Sequence, residues 1–152
     1  MDDRTILALN AFEEANLEPD DGVAAIVRVC LNRMARKYES DGTVAGTVFK
    51  HAQFSWAEFA MVDGHYTRVA FTPEEVQARA THLLAQAQAY AHAWSRATDI
   101  TDRVVAGTYA GALYDALTAD AVLYLNPTLS SAPWATPAKR ICVIGRHEFF
   151  RA

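Results

Sequence analysis

The sequence lacks several features that mark specialised classes of protein. It has 2 cysteines among 152 residues, too few to require a disulfide framework. No apolar run reaches the roughly 18 residues of a membrane span, and the N-terminus lacks the basic start and apolar core of a secretory signal. The formal net charge is -4, without a dense run of lysine or arginine, which removes the electrostatic case for nucleic-acid binding. We therefore expect no nucleic-acid partner, no membrane insertion and synthesis in the cytoplasm.

The motifs of several common enzyme classes are also missing. There is no Gly-x-Ser-x-Gly elbow for a nucleophilic serine and no glycine pattern of a phosphate or dinucleotide loop. Cys30 lies within an apolar helical pattern, where a reactive thiolate is disfavoured. The five histidines include no pair at the four-residue spacing of a helical zinc site, and no Cys-x-x-Cys accompanies them. No metal site and no cofactor are predicted, which leaves carboxylates as the chemistry with a physical rationale.

The residues that are present indicate a single domain over residues 1–152, mostly helical. The chain is 51% hydrophobic and 21% charged, which is a globular composition, and one domain of this length buries about 70% of its unfolded surface. Apolar residues recur at helical spacing over three segments, residues 3–16, 23–38 and 73–96. The third segment begins with a capping box of Thr72 and Glu75. Its small alanine side chains predict a central helix that is packed closely on several sides.

Strand patterns lie mainly in the C-terminal part of the chain. Residues 122–125 and 140–145 are strand candidates, and residues 146–151 are predicted to pair back as an edge strand. Residues 51–56 have no clean period and are typical of a loop or short strand that lines a cleft or covers the core, while residues 62–65 predict a turn. The predicted fold class is α+β, mostly α, with a small antiparallel β element.

Two adjacent carboxylates end the first predicted helix. A rotation of about 100° per residue places Glu14 at the edge of the apolar face and turns Glu13 towards solvent. A carboxyl group at the margin of an apolar surface is poorly hydrated, so its neutral form is favoured and its pKa rises. A general acid that works near neutral pH needs this environment. Glu14 is therefore the candidate acid, with an ordinary helix-end role for both glutamates as the alternative.

Four blocks of the chain, taken in order, carry a family resemblance. They are Glu14–Pro19 with Gly22–Val27 and Leu31–Arg33; Val44–Gly46 with Gln53–Trp56; Leu123–Tyr124 with Asn126–Pro127; and Lys139–Ile141 with Ile144–Phe149. Together they resemble the spore-cortex-lytic (SleB-type) cell-wall hydrolase family over nearly the whole chain. The chain departs from the family pattern in two places: Leu17 stands where a glycine is usual, and Ala119-Asp120 stand where Gly-Gly is usual.

The resemblance implies a lysozyme-like fold that cleaves the glycan strands of peptidoglycan. The catalytic glutamate of the family falls on Glu14, which the helical periodicity favours separately. The family's conserved blocks also imply that Gln53, Ser55, Tyr124 and Asn126 line the substrate cleft. A purely structural role remains the alternative for each of these four, and Asn126 before Pro127 is also typical of a turn.

The expected reaction is cleavage of the β-1,4 bond between N-acetylmuramic acid and N-acetylglucosamine. The positions at which phage-type lysozymes carry an aspartate and a threonine hold Val23 and Val29 here. Without that partner, Glu14 is expected to act alone as acid and then base, which makes the protein a lytic transglycosylase. One alternative is a hydrolytic muramidase with Asp63 as the second carboxylate. A non-catalytic peptidoglycan-binding module and a zinc amidase are further alternatives.

The expected biological setting follows from the missing export signal. A catalytic domain without a signal peptide suits a phage endolysin, which is made in the cytoplasm and reaches the host cell wall in the periplasm after the membrane is permeabilised. The expected partner is the peptidoglycan glycan strand, and we expect the protein to act as a monomer.

Overall fold

The computed structural model describes all residues of the chain, 1–152. The helices are α1 (Asp3–Ala15), α2 (Asp20–Arg36), α3 (Val44–Val48), α4 (Pro73–Ala89) and α5 (Ala91–Val105). The strands are β1 (Phe59–Val62), β2 (His65–Arg68), β3 (Leu123–Leu125), β4 (Arg140–Ile144) and β5 (His147–Phe150). This order confirms the predicted α+β class, with helices in the majority and two small antiparallel sheets.

The central helix is α2, and the prediction that the alanine-rich segment would take this place is wrong. In α2 the run Val23–Val27 is buried without interruption, together with Val29 and Cys30. In α4 only Val76, Ala80 and Ala87 are buried. Alanine side chains add little apolar area, so a helix that is rich in them can lie at the surface as readily as in the core.

The predicted helix over residues 73–96 is divided into α4 and α5 at Tyr90. The capping box of Thr72 and Glu75 begins α4 as predicted. At Tyr90 the backbone leaves the helical region, with φ -90° and ψ 64°. Beyond this break, α5 buries Ile100 and Val104 in the core cluster that α2 also lines. The break contains neither glycine nor proline, and tertiary packing overrides the local helical pattern there.

The first sheet is the hairpin of β1 and β2, joined by the predicted turn at Asp63 and Gly64. Both turn residues have positive φ angles, 49° and 79°, as a tight two-residue hairpin turn requires. The flanking strands are mostly exposed, so they lack the buried–exposed alternation by which a strand is recognised in a sequence.

The second sheet has the strand order β3-β5-β4, and every pairing is antiparallel. The prediction of an edge strand for residues 146–151 is wrong, because β5 is the central strand. Its His147, Phe149 and Phe150 side chains are buried. Phe149 packs in the cluster formed by α1, α2 and α5, and this contact fixes the sheet against the helices.

Candidate active site

A groove of about 770 Å³ runs across the protein between the end of α1, the β1–β2 hairpin and the second sheet. The structure brings together all five residues that the sequence assigned to the site. They line the groove from different parts of the chain: Glu14, Gln53, Ser55, Tyr124 and Asn126. A concave site with a few convergent polar groups is the usual form of a ligand-binding site.

Glu14 lines this groove and is half-buried near the C-terminal end of α1. The phenolic oxygen of Tyr124 donates a hydrogen bond of 2.7 Å to Glu14 Oε2. Burial raises the pKa of Glu14, while the Tyr124 hydrogen bond and the positive charge of Arg33 oppose this rise without cancelling it. Glu14 therefore keeps its proton to a higher pH than an exposed glutamate, as a general acid must.

Arg33 is a site residue that the sequence reasoning did not single out, although it lies in the Leu-Asn-Arg block. It is buried and donates to the Val122 carbonyl at 2.6 Å and to Gln53 Oε1 at 3.2 Å. Its guanidinium group lies 4.8 Å from the centre of the Phe54 ring. No carboxylate pairs with Arg33 at salt-bridge distance, so its positive charge is available to stabilise an ionised Glu14.

Glu13 also lines the groove, and the prediction that it faces solvent is wrong. It is half-buried, and its pKa is raised by burial and by the neighbouring Glu14 charge, while Arg79 lowers it. The helical periodicity of α1 records only where its own apolar stripe lies. It does not record that Trp56 and Leu83 line the groove beside the helix end. The Glu13 carboxylate accepts no hydrogen bond within the protein, in contrast to the Glu14 carboxylate.

The other assigned residues differ in how much of their hydrogen-bonding capacity is free. Gln53 Oε1 accepts a hydrogen bond from Arg33, which leaves the amide nitrogen of Gln53 for a ligand. Asn126 Oδ1 accepts from the Thr128 backbone at 3.0 Å and from its hydroxyl at 2.7 Å. Asn126 therefore shapes a turn with its oxygen, while its amide nitrogen remains free at the groove. Ser55 Oγ shares a hydrogen bond of 2.6 Å with Tyr66 Oη.

Asp63 lies away from the groove. It occupies the hairpin turn, where it is exposed and has a positive φ of 49°. The carboxylates that do line the groove are Glu13, Glu14 and Glu39. Glu39 forms an ion pair of 2.5 Å with Lys50, and Glu13 is the immediate neighbour of Glu14. The structure therefore gives Asp63 a turn-forming role and gives no support to its role as a second catalytic carboxylate.

A buried carboxylate, Glu18, lies outside the groove and stabilises a turn next to it. It is 5% exposed and accepts hydrogen bonds from the Arg146 backbone at 2.9 Å and from Arg146 Nε at 2.7 Å. Gly145, the residue before Arg146, has a φ of +58°. A side chain at this position would collide with the Glu18 carboxylate. Burial would raise the pKa of Glu18, but the Arg146 hydrogen bonds outweigh it and hold that pKa below its usual value. Glu18 therefore fixes the turn between β4 and β5.

This turn places His147 in the wall of the groove. The His147 ring packs edge-on against Tyr124, with the ring centres 5.4 Å apart and an angle of 78° between the planes. His147 Nδ1 lies 4.0 Å from Glu18 Oε1 and has no hydrogen-bond partner. Glu18 thereby supports the tyrosine that binds Glu14. Glu18 and His147 both lie in blocks that carry the family resemblance. This is the only feature of the sequence that could have indicated their roles.

Comparison with known proteins identifies the family of the chain. The sequence pattern of the family described as Cell Wall Hydrolase matches residues 17–150. The chain belongs to the cell wall hydrolase family. The match begins at Leu17, three residues beyond Glu14, so the role of Glu14 depends on the geometry rather than on the family pattern. Among curated proteins, none matches this cell wall hydrolase.

A solved structure shows the same fold. The cell wall hydrolase is similar to the catalytic domain of the germination-specific lytic transglycosylase SleB from Bacillus anthracis, with a TM-score of 0.60 and 21% sequence identity. The similarity covers 98% of this chain and 93% of that one. It confirms the lysozyme-like α+β fold, and together with the family match it supports the resemblance to SleB-type cell-wall hydrolases. No helix of the chain is long and apolar enough to span a membrane, and no three histidine, cysteine or acidic side chains are grouped for metal binding.

Proposed function

We propose that this cell wall hydrolase cleaves the β-1,4 bond between N-acetylmuramic acid and N-acetylglucosamine as a lytic transglycosylase. The observation that carries the proposal is Glu14, a half-buried carboxyl group with a raised pKa that lines the groove and is hydrogen-bonded to Tyr124. The family and the fold shared with a lytic transglycosylase domain support the same reaction.

In the first step, neutral Glu14 donates its proton to the glycosidic oxygen while the bond from C1 of the muramic sugar to that oxygen breaks. The N-acetylglucosamine side leaves with the proton on its new hydroxyl group, and positive charge develops at C1. Glu14 is now ionised. The hydrogen bond from Tyr124 and the charge of Arg33 stabilise this carboxylate.

In the second step, the Glu14 carboxylate removes the proton from the C6 hydroxyl group of the same muramic sugar. The C6 oxygen attacks C1 and closes a 1,6-anhydro ring, so Glu14 regains its proton and no water is consumed. A retaining or inverting glycosidase would need a second carboxylate about 5 Å or 6.5–9.5 Å from the acid. The hairpin position of Asp63 and the pairing of Glu39 with Lys50 argue against either residue in that role.

Mass spectrometry of a peptidoglycan digest tests the reaction. The wild-type protein is expected to release muropeptides with 1,6-anhydro ends, and Glu14→Gln is expected to release none. Reducing ends would show that water attacks C1 and that the protein is a muramidase. Intact glycan strands, with the protein bound to the sacculi, would indicate a non-catalytic binding module. Cleavage within the stem peptide that chelators abolish would indicate a zinc amidase.

We further propose that the protein acts as a phage endolysin, which reaches the host cell wall after the membrane is permeabilised. Its test is expression inside a Gram-negative bacterium. Growth is expected to continue until chloroform permeabilises the inner membrane, after which the optical density falls within minutes. The Glu14→Gln variant provides the control, because its cultures should keep their density after chloroform. Lysis before permeabilisation would contradict this setting.

A further inference from the structure

We propose that the β1–β2 hairpin carries a sugar-binding subsite of the groove, separate from the bond that is cleaved, in which the ring of Tyr66 stacks on a pyranose ring. The inference rests on the proposed function for the identity of its ligand, a peptidoglycan glycan strand. It assigns a ligand to the exposed aromatic surface of the hairpin.

The subsite is built from two aromatic side chains on one face of the hairpin. Met61 is paired with Tyr66, and Phe59 with Arg68, so Phe59 and Tyr66 are diagonal neighbours. Their ring centres lie 5.1 Å apart and their planes are inclined by 16°, which is a stacked arrangement. Both side chains line the groove. Because Phe59 covers one face of the Tyr66 ring and Tyr66 is still 60% exposed, the opposite face is open.

The Tyr66 ring is held in place before any ligand binds. Its hydroxyl group shares a hydrogen bond of 2.6 Å with Ser55 Oγ, so both ends of the side chain are fixed. The hairpin itself is attached to α4 by Arg79, which donates to the Phe59 carbonyl at 3.3 Å. The Val69 amide donates to the Glu58 carbonyl at 2.8 Å and closes the base of the hairpin. A side chain that is already ordered loses little further entropy when it binds a ligand.

The chemistry of this surface matches a sugar better than a peptide or lipid. A pyranose ring presents C–H groups on its faces and hydroxyl groups at its edges, so an open aromatic face with polar groups around it complements both. Polar groups are present at the same part of the groove, since Ser55 is hydrogen-bonded to Tyr66 and Arg79 to the Phe59 carbonyl, and both line the groove. A rigid amphipathic side chain such as tyrosine is also common at binding surfaces that are partly exposed to water.

Calorimetric titration of a Glu14→Gln background with a purified octasaccharide of alternating N-acetylglucosamine and N-acetylmuramic acid tests the subsite. Tyr66→Ala is expected to raise the dissociation constant about tenfold. Tyr66→Phe, which keeps the ring and loses the Ser55 bond, should retain most of the affinity. Tyr90→Ala is the matched control, because Tyr90 is 68% exposed between α4 and α5 and does not line the groove.

The ring resonances of Tyr66 supply a readout that does not depend on affinity. Stacking on a sugar is expected to shift them on titration of the octasaccharide, while those of Tyr90 stay unchanged. Equal dissociation constants for Tyr66→Ala and its parent, with no shift of the Tyr66 resonances, would overturn the subsite. That result with normal wild-type lysis would leave the proposed function intact. Absence of lysis by the wild-type protein would overturn the proposed function while the binding data still judge Tyr66.

Discussion

The two regions that form the groove, its floor and its hairpin wall, are built in opposite ways. The floor consists of Glu14, Tyr124 and Arg33, which lie on α1, β3 and α2 and are buried or half-buried against the core clusters. The wall is the mostly exposed β1–β2 hairpin, attached by a few hydrogen bonds. Glu14, the proposed acid with a raised pKa, therefore lies on a packed helix, whereas the proposed sugar-binding surface of Tyr66 lies on an exposed hairpin.

The largest effect is expected from Glu14→Gln in the floor. The variant keeps the shape of the side chain but cannot give up a proton, so peptidoglycan lysis should fall by at least about a hundredfold. Circular dichroism should show an unchanged fold. The measurement is turbidity loss of purified sacculi at equal protein concentrations.

Glu13→Gln is the matched control, since Glu13 precedes Glu14 in α1 and also lines the groove. It should retain most of its activity, because Tyr124 binds only Glu14. Equal losses in the two variants would remove the distinction that assigns the proton to Glu14.

The next effect in size is expected behind the floor, from Glu18→Gln. The variant loses a charged acceptor of two Arg146 hydrogen bonds in a buried position, which should lower the free energy of unfolding by about 2 kcal/mol. Glu148→Gln breaks the more exposed ion pair with Arg140, at 3.1 Å, and should cost less than about 1 kcal/mol. Urea denaturation measures both. Equal losses would show that Glu18 has no special part in fixing the β4–β5 turn.

Tyr124→Phe should have a smaller effect, on the chemistry rather than on stability. Without the phenol, the ionised form of Glu14 loses a hydrogen bond, and activity should fall about tenfold. Because that hydrogen bond lowers the pKa of Glu14, its loss should move the alkaline limb of the pH–activity profile to higher pH. A loss of activity without any shift of that limb would reduce Tyr124 to a packing role.

The sequence predicted Glu14 and Tyr124 of the floor better than it predicted the strands of the hairpin wall, and the reason is physical. Glu14 is at the edge of an apolar stripe, and β3 is a buried strand, so both leave a local pattern that reflects their burial. The hairpin strands are exposed and leave none. The position of Glu13 was missed because it depends on groove neighbours from other segments, such as Leu83 on α4.

The other features that the sequence did not predict depend on contacts between segments that are far apart in the chain. The strand order β3-β5-β4 depends on Phe149 packing against the helices, which no spacing within residues 146–151 indicates. The central place of α2 depends on which helices surround it, and helix periodicity gives one buried face without naming the partner. Arg33 and Glu18 lie in recognisable sequence blocks, but their roles depend on Val122 and Arg146, about 90 and 130 residues away in the chain.

The pKa of Glu14 is the most direct test of the proposed acid. In a protein labelled with ¹³C at the glutamate carboxyl groups, the Glu14 resonance can be assigned by its absence from Glu14→Gln and titrated against pH. We expect the Glu14 midpoint to lie above the value of about 4.3 for an unperturbed glutamate, with the Glu18 midpoint below that value as an internal comparison. Lytic activity should then fall as the pH rises through the Glu14 midpoint, because the acid form is lost. A Glu14 midpoint at or below the ordinary value would show that Glu14 does not keep its proton near neutral pH and is not the general acid.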